Sequence, residues 1–212
     1  MAHEIFDAIQ KGDTERVRQI VTENPAAVRE RDDAGVSAIM QARYHRHLVM
    51  VDLLQPAVGD LDIFEAASLG DISRLSSLLQ QQPDLICTYS ADGFTPLHFA
   101  AFFSQPAAAE VLLNNGADPN AVATNGSKLA VINSAAASGN AEIVRMLLRE
   151  GANPDAQQEG GYTALHAAAQ HNNADMTKAL LDAGANTSIR TNDGKTALDM
   201  AGAEAAAVVR GA

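Results

Sequence analysis

Asp92-Gly93-Phe94-Thr95-Pro96-Leu97-His98-Phe99-Ala100-Ala101 decides the fold. An Asp-Gly turn signal runs into Thr and then Pro, the order found at a helix start. Thr is an N-cap whose hydroxyl can bond a free backbone N–H, and Pro at the first helical position loses nothing there. The stretch returns as Gly161-Tyr162-Thr163-Ala164-Leu165-His166-Ala167-Ala168-Ala169, and again as Asp193-Gly194-Lys195-Thr196-Ala197-Leu198-Asp199-Met200-Ala201. The turn glycines stand at 93, 126, 161 and 194, spacings of 33, 35 and 33 residues. A period of this size means stacked supersecondary units, each too thin to bury its own apolar face.

Working outward, residues 92–124 form the clearest unit. A first helix over 96–103 meets the turn Ser104-Gln105-Pro106, and a second helix runs to about Asn114. Asn115-Gly116 closes it, with Gly in the left-handed C-cap place. The same ending recurs at Gly151 and Gly184. Towards the N-terminus the pattern degrades but survives. Ile5-Phe6-Asp7-Ala8, Gly12-Asp13, Pro25 and Gly35 reappear 58 residues later as Ile63-Phe64-Glu65-Ala66, Gly70-Asp71, Pro83 and Gly93. Asp13 or Thr14 is expected to cap a second helix that Asn24-Pro25 ends, because the residue before Pro resists the helical region. Residues 26–36 read as a loop. A second pair is read over 37–54, with Ser37 in the place of Thr95. Only Gln55 to Gly59 follow before the next helix, too few for an outward hairpin.

The expected organisation is one solenoid over 1–212, with units at about 1–32, 33–59, 60–91, 92–124, 125–159, 160–192 and a C-terminal cap at 193–212. That gives seven helix pairs and an all-α fold. Leu97, Leu112, Leu113, Leu147, Leu148, Leu165, Leu180 and Leu181 are the expected core.

Composition narrows the function. Only 4% of residues are aromatic and there is no Trp, so Ala, Leu and Val must fill the interior. Twenty-six acidic against fifteen basic residues give a net charge of −11, a surface that repels nucleic acid and anionic membranes. The single Cys87 cannot form an internal disulfide and fits a reducing compartment. The first residues carry no basic region followed by an apolar one, as a signal peptide would. No apolar run reaches the roughly 18–20 residues of a membrane span. The expectation is a soluble, cytoplasmic monomer.

Gly93-Phe94-Thr95-Pro96-Leu97-His98, Val111-Leu112-Leu113 and Gly116-Ala117-Asp118-Pro119-Asn120 resemble an ankyrin repeat, and 126–155 and 161–188 are weaker copies. The resemblance is specific over 92–201 and degenerate over 1–91. It implies antiparallel helix pairs with outward loops or β-hairpins, stacked into a curved solenoid. It also implies binding of other proteins through the loop tips and the concave face of the first helices, and no catalytic residues. His98 and His166 would then bond across their turns to the Thr three residues earlier. Their places elsewhere are taken by Met40, Asn133 and Asp199, which builds no convergent metal-ligand set. No phosphate loop or zinc spacing appears, so no cofactor is expected.

The candidate binding residues follow from position. The last residues of the first helices, which face the concave side in this architecture, are Tyr44 and His45, Phe102 and Phe103, Ala137 and Ser138, and Gln170 and His171. The residue after each turn glycine points the same way: Val36, Phe94, Ser127, Tyr162 and Lys195. Tyr44, His45, Phe94, Phe102, Phe103, Tyr162, Gln170 and His171 are therefore the predicted partner-binding set. Exposed aromatics suit an interface, though curvature near the shortened second unit would instead bury Phe102 and Phe103. The expected partner is a neutral or basic protein. Two other readings stay open. One is a structural or inhibitory subunit docking through the short edge at 55–60. The other is a small-molecule site or enzyme using Arg43, His45 and His47, the densest titratable set. Arg43-Tyr44-His45-Arg46-His47 could equally complement a helix C-terminus, or dock an acidic segment.

Overall fold

The computed structural model describes residues 2–211. Among these residues fourteen α-helices follow one another: α1 Ala2–Lys11, α2 Thr14–Glu23, α3 Ala38–Tyr44, α4 Leu48–Val58, α5 Ile63–Leu69, α6 Ile72–Gln81, α7 Pro96–Phe102, α8 Pro106–Asn114, α9 Val131–Ala137, α10 Ala141–Arg149, α11 Ala164–Gln170, α12 Ala174–Asp182, α13 Ala197–Met200 and α14 Ala203–Gly211. Among the described residues extended pairing is confined to isolated bridges, Arg31 with Ser37 and Val122 with Ala130.

Odd-numbered helices pack side by side from α1 to α13, and each lies against the even-numbered helix that follows it. The starts of α2, α6, α10 and α12 are fixed by side chains that satisfy otherwise free N–H groups. Asp13 accepts from Arg16 at 3.0 Å and Asp71 from Arg74 at 2.9 Å. Asn140 and Asn173 do the same for Ile143 and Met176, each at 3.0 Å. The core is a strip of Ala, Leu, Ile and Val between the two helix layers. Leu97, Leu112, Leu147, Leu165 and Leu180 are buried in it. Leu113, Leu148 and Leu181 are only half-buried, a correction to the expected core. The second Leu of each pair turns about 100° around its helix and leaves the layer interface.

The duplication at a shift of 58 extends to structure. Pro25–Arg29 and Pro83–Cys87 each form a short 3-10 helix where a plain loop was expected, entered with nearly the same backbone at Asn24 and Gln82. The second pair also departs from expectation. Helix α4 continues past Leu54 to Val58, through Pro56. Pro there forfeits one helical bond, and the Asp52 carbonyl it frees belongs to an exposed residue that water can reach. Burial of Val58 holds the extra turn in place. The link to α5 is then clipped by Arg74, which donates to the Leu61 carbonyl at 2.8 Å.

From Asp92 onward the loops are tied sideways. Thr124 N–H donates to the Gly93 carbonyl at 2.9 Å, Glu159 to Ser127 at 2.8 Å, and Asn192 to Gly160 at 2.8 Å. The short link between α4 and α5 contributes no loop to this row. The loops at 31–37 and 88–95 are therefore neighbours, and a β-carbon at Gly35 would stand 2.7 Å from the Ala91 methyl.

Candidate protein-binding face

From α5 onward each first helix is anchored by the third residue after its N-cap. His98 Nδ1 accepts the Thr95 N–H at 3.2 Å and lies 2.7 Å from the Thr95 hydroxyl. Its Nε2–H then donates to the Leu129 carbonyl in the next loop, at 3.0 Å. His166 repeats this with Thr163 and the Lys195 carbonyl. Asn133 accepts from Ala130 and donates to the Ala156 carbonyl. Asp199 and Glu65 accept from Thr196 and Asp62. The imidazoles are thus structural, in the way the resemblance implied. Burial holds His98 down to about 4, against the smaller opposing pull of the Leu129 carbonyl, and burial lowers His166 as well.

The face beside these anchors carries the aromatic residues. With Asp62 and Thr95 as matching N-caps, α5 has Ala66, Leu69 and Gly70 where α7 has Phe99, Phe102 and Phe103. These smaller residues leave room for α3 side chains to reach past α5. The Tyr44 ring lies 5.7 Å from Phe103 and 6.5 Å from Phe99, and its hydroxyl donates to the Asp92 carboxylate. Arg43 donates to the Ser68 carbonyl, and its guanidinium sits 4.4 Å above the Phe103 ring. Burial lowers the Arg43 guanidinium, and burial with the Asp92 bond raises the Tyr44 phenol.

The eight predicted residues divide into two groups. Tyr44, Phe94 and Phe103 are half-buried members of a stack centred on buried Phe99. Phe102 caps that stack edge-on at 5.1 Å from Phe103 and is 43% exposed. His45 is exposed, stacked on His47 at 5.8 Å. Tyr162, Gln170 and His171 stand on α11 and its loop, beyond α9, with Tyr162 turned edge-on to His166. Val36, grouped with Phe94 as pointing to the face, is buried. A small cleft of about 80 Å³ opens among Tyr44, Phe94, Phe99, Phe102 and Leu129. Phe64, Phe99 and Asp92 escaped the positional rule. Their only signal was the small residues on α5, which matter through a neighbour's side chains.

Arg43 is committed to Ser68 and Phe103, while the His45–His47 pair sits at the turn, so the three do not converge on one point. Among the described residues no group of His, Cys, Asp and Glu could hold a metal ion, and no helix is long and apolar enough to cross a membrane. Cys87 is exposed, its thiol donating to the Asp84 carbonyl.

Among the described residues fourteen short helices paired in antiparallel fashion, with His98, Asn133 and His166 stitching their pairs to the loop of the next, define a helical-repeat solenoid. The family profile described as ankyrin repeats (three copies) matches residues 5–123 and 132–210, and the chain belongs to that family. It is 32% identical over 103 residues to an ankyrin repeat and SAM domain-containing protein of Rattus norvegicus, covering 49% of this chain and 12% of that protein. It is 39% identical over 95 residues to a probable E3 ubiquitin-protein ligase of Oryza sativa, covering 44% and 21%. The chain therefore matches only a minor part of these relatives' length. Among solved structures, the ankyrin repeat domain of Bcl-3 superposes with a TM-score of 0.63 at 23% identity, covering 98% of this chain and 97% of that one. Ankyrin repeats are in general protein–protein interaction modules.

Proposed function

We propose that the chain is a non-enzymatic interaction module that binds a neutral or basic protein through the aromatic face of its first helices. The carrying observation is Phe102, 43% exposed on a stack whose other members are half-buried or buried. A large ring held in one orientation by packing, at the rim of an apolar cleft, has the character of an interface anchor. The stack behind it fixes its rotamer in advance, so little side-chain entropy is lost on binding. The net charge of −11 supports a partner that is not acidic.

The test is comparative capture from source-cell lysate with wild type, Phe102→Asp and Leu48→Asp. Leu48 is an exposed apolar residue on α4, away from the stack. A protein retained by wild type and Leu48→Asp but lost by Phe102→Asp is the expected result. Equal retention by all three refutes the assignment of the face.

A further inference from the structure

The missing loop between α4 and α5 leaves a gap of about 330 Å³ between the loops at 31–37 and 88–95. Its far end is closed where Gly35 meets Ala91. Its floor is apolar, made by Val36, Met40, Phe64 and Phe99. Three charged residues line it. Arg31 and Asp62 neutralise each other at 2.8 Å. Asp92 is held in place by the hydroxyls of Tyr44 and Ser90, and among the described residues it forms no ion pair. The uncompensated charge in the gap is thus a single, pre-oriented carboxylate. Beside it stands the Tyr89 ring, 43% exposed.

We infer that this gap receives a lysine or arginine side chain carried on an extended basic segment of a partner protein. The aliphatic stem of such a side chain suits the apolar floor, and its cation suits Asp92 and the Tyr89 ring face. An acidic side chain would meet Asp92 with like charge. A purely apolar one would bury that carboxylate without compensation. The inference specifies the partner's chemistry but does not rest on Phe102, which does not line the gap.

The test titrates the full ¹⁵N-labelled chain with acetyl-Ala-Ala-Arg-Ala-Ala-amide and with the Leu and Glu counterparts of that peptide. The Arg peptide is expected to shift the amides of 35–37 and 89–92, with the Leu and Glu peptides at least about tenfold weaker. Asp92→Asn keeps an acceptor for the Tyr44 hydroxyl and is expected to weaken the Arg peptide about tenfold. Tyr89→Ser, at an exposed ring, is expected to weaken it about threefold and serves if the Asp92 variant fails to fold. Phe102→Asp should leave this binding unchanged, so the two proposals fail separately. Equal binding of the Leu peptide overturns the inference in favour of an apolar anchor pocket. Shifts spread over the acidic loop tips at Asp118, Asp155 and Asp193, or no effect of either gap variant, overturn it as well.

Discussion

Acid should loosen the stack through His98. In the folded chain its Nδ1 accepts the Thr95 N–H, and its Nε2–H is given to the Leu129 carbonyl, so the neutral ring is the form that fits. Adding a proton at Nδ1 sets two donors against each other inside a buried site. The folded value is held at about 4 by burial, against an ordinary 6.5. Between those values the unfolded chain binds a proton that the folded chain refuses, so stability falls as pH falls. The contribution is fully present above about pH 6.5 and is lost by about pH 4. Linkage gives about 2 kcal/mol between pH 8 and pH 5, and about 3 kcal/mol over the whole window. His166, also lowered by burial, adds to the same trend. Glu65 opposes it: burial raises its carboxyl, so the folded state takes up that proton first and acid favours folding there. Asn133 already performs the anchoring task without titrating, which makes His98→Asn the right control. Urea unfolding of both proteins followed by far-ultraviolet circular dichroism at pH 8, 6.5 and 5 isolates the imidazole, because Glu65 and His166 cancel in the difference. A wild-type-minus-variant difference that stays flat within about 0.5 kcal/mol from pH 8 to pH 5 would refute the reasoning.

Other perturbations separate burial from strain. Leu147→Ala should cost about 2–5 kcal/mol in urea unfolding, and Leu148→Ala about half as much, since only the first is fully buried. Gly93→Ala and Gly116→Ala both force a methyl onto a positive φ, but only at Gly93 does the new carbon meet backbone, 2.9 Å from the Asn125 nitrogen. Thermal melts should show Gly93→Ala the more destabilising by about 1–3 kcal/mol. Arg46 occupies the left-handed region at φ 59 in a turn where Gly12, Gly70 and Gly139 serve in other pairs. Arg46→Gly is expected to stabilise by about 1 kcal/mol, and a destabilised variant would mean that the Arg side chain holds the turn.

The regular half of the fold was legible because its devices are local. Thr95-Pro96, Asn115-Gly116 and the anchoring His98 act within a turn or two of where they are written, and each recurs at a fixed spacing. The four pairs from Asp92 onward could be counted from that alone, and the first three from the 58-residue duplication and Ser37. Where reading stopped, the deciding contact lay on another helix. Pro56 announces a helix end, yet α4 continues because Val58 is buried against its neighbours. The 3-10 turns after Pro25 and Pro83 carry no periodicity to detect. The candidate face was legible as positions but not as surroundings. Tyr44 and Phe103 are half covered because Ala66, Leu69 and Gly70 on α5 let α3 reach α7, a relation among three segments that no single stretch displays.

The aromatic stack also makes this chain report on itself unevenly. Tryptophan is absent, and five of the six phenylalanines together with Tyr44 stand in or beside the junction of α3, α5 and α7. Tyr162 is the only such ring beyond residue 103. Near-ultraviolet circular dichroism is therefore a readout of one junction, whereas the far-ultraviolet signal sums over fourteen helices. If the array melts from its C-terminal end, the far-ultraviolet amplitude will fall first and the near-ultraviolet signature will outlast it. The two optical windows then time the loss of the two ends without any label.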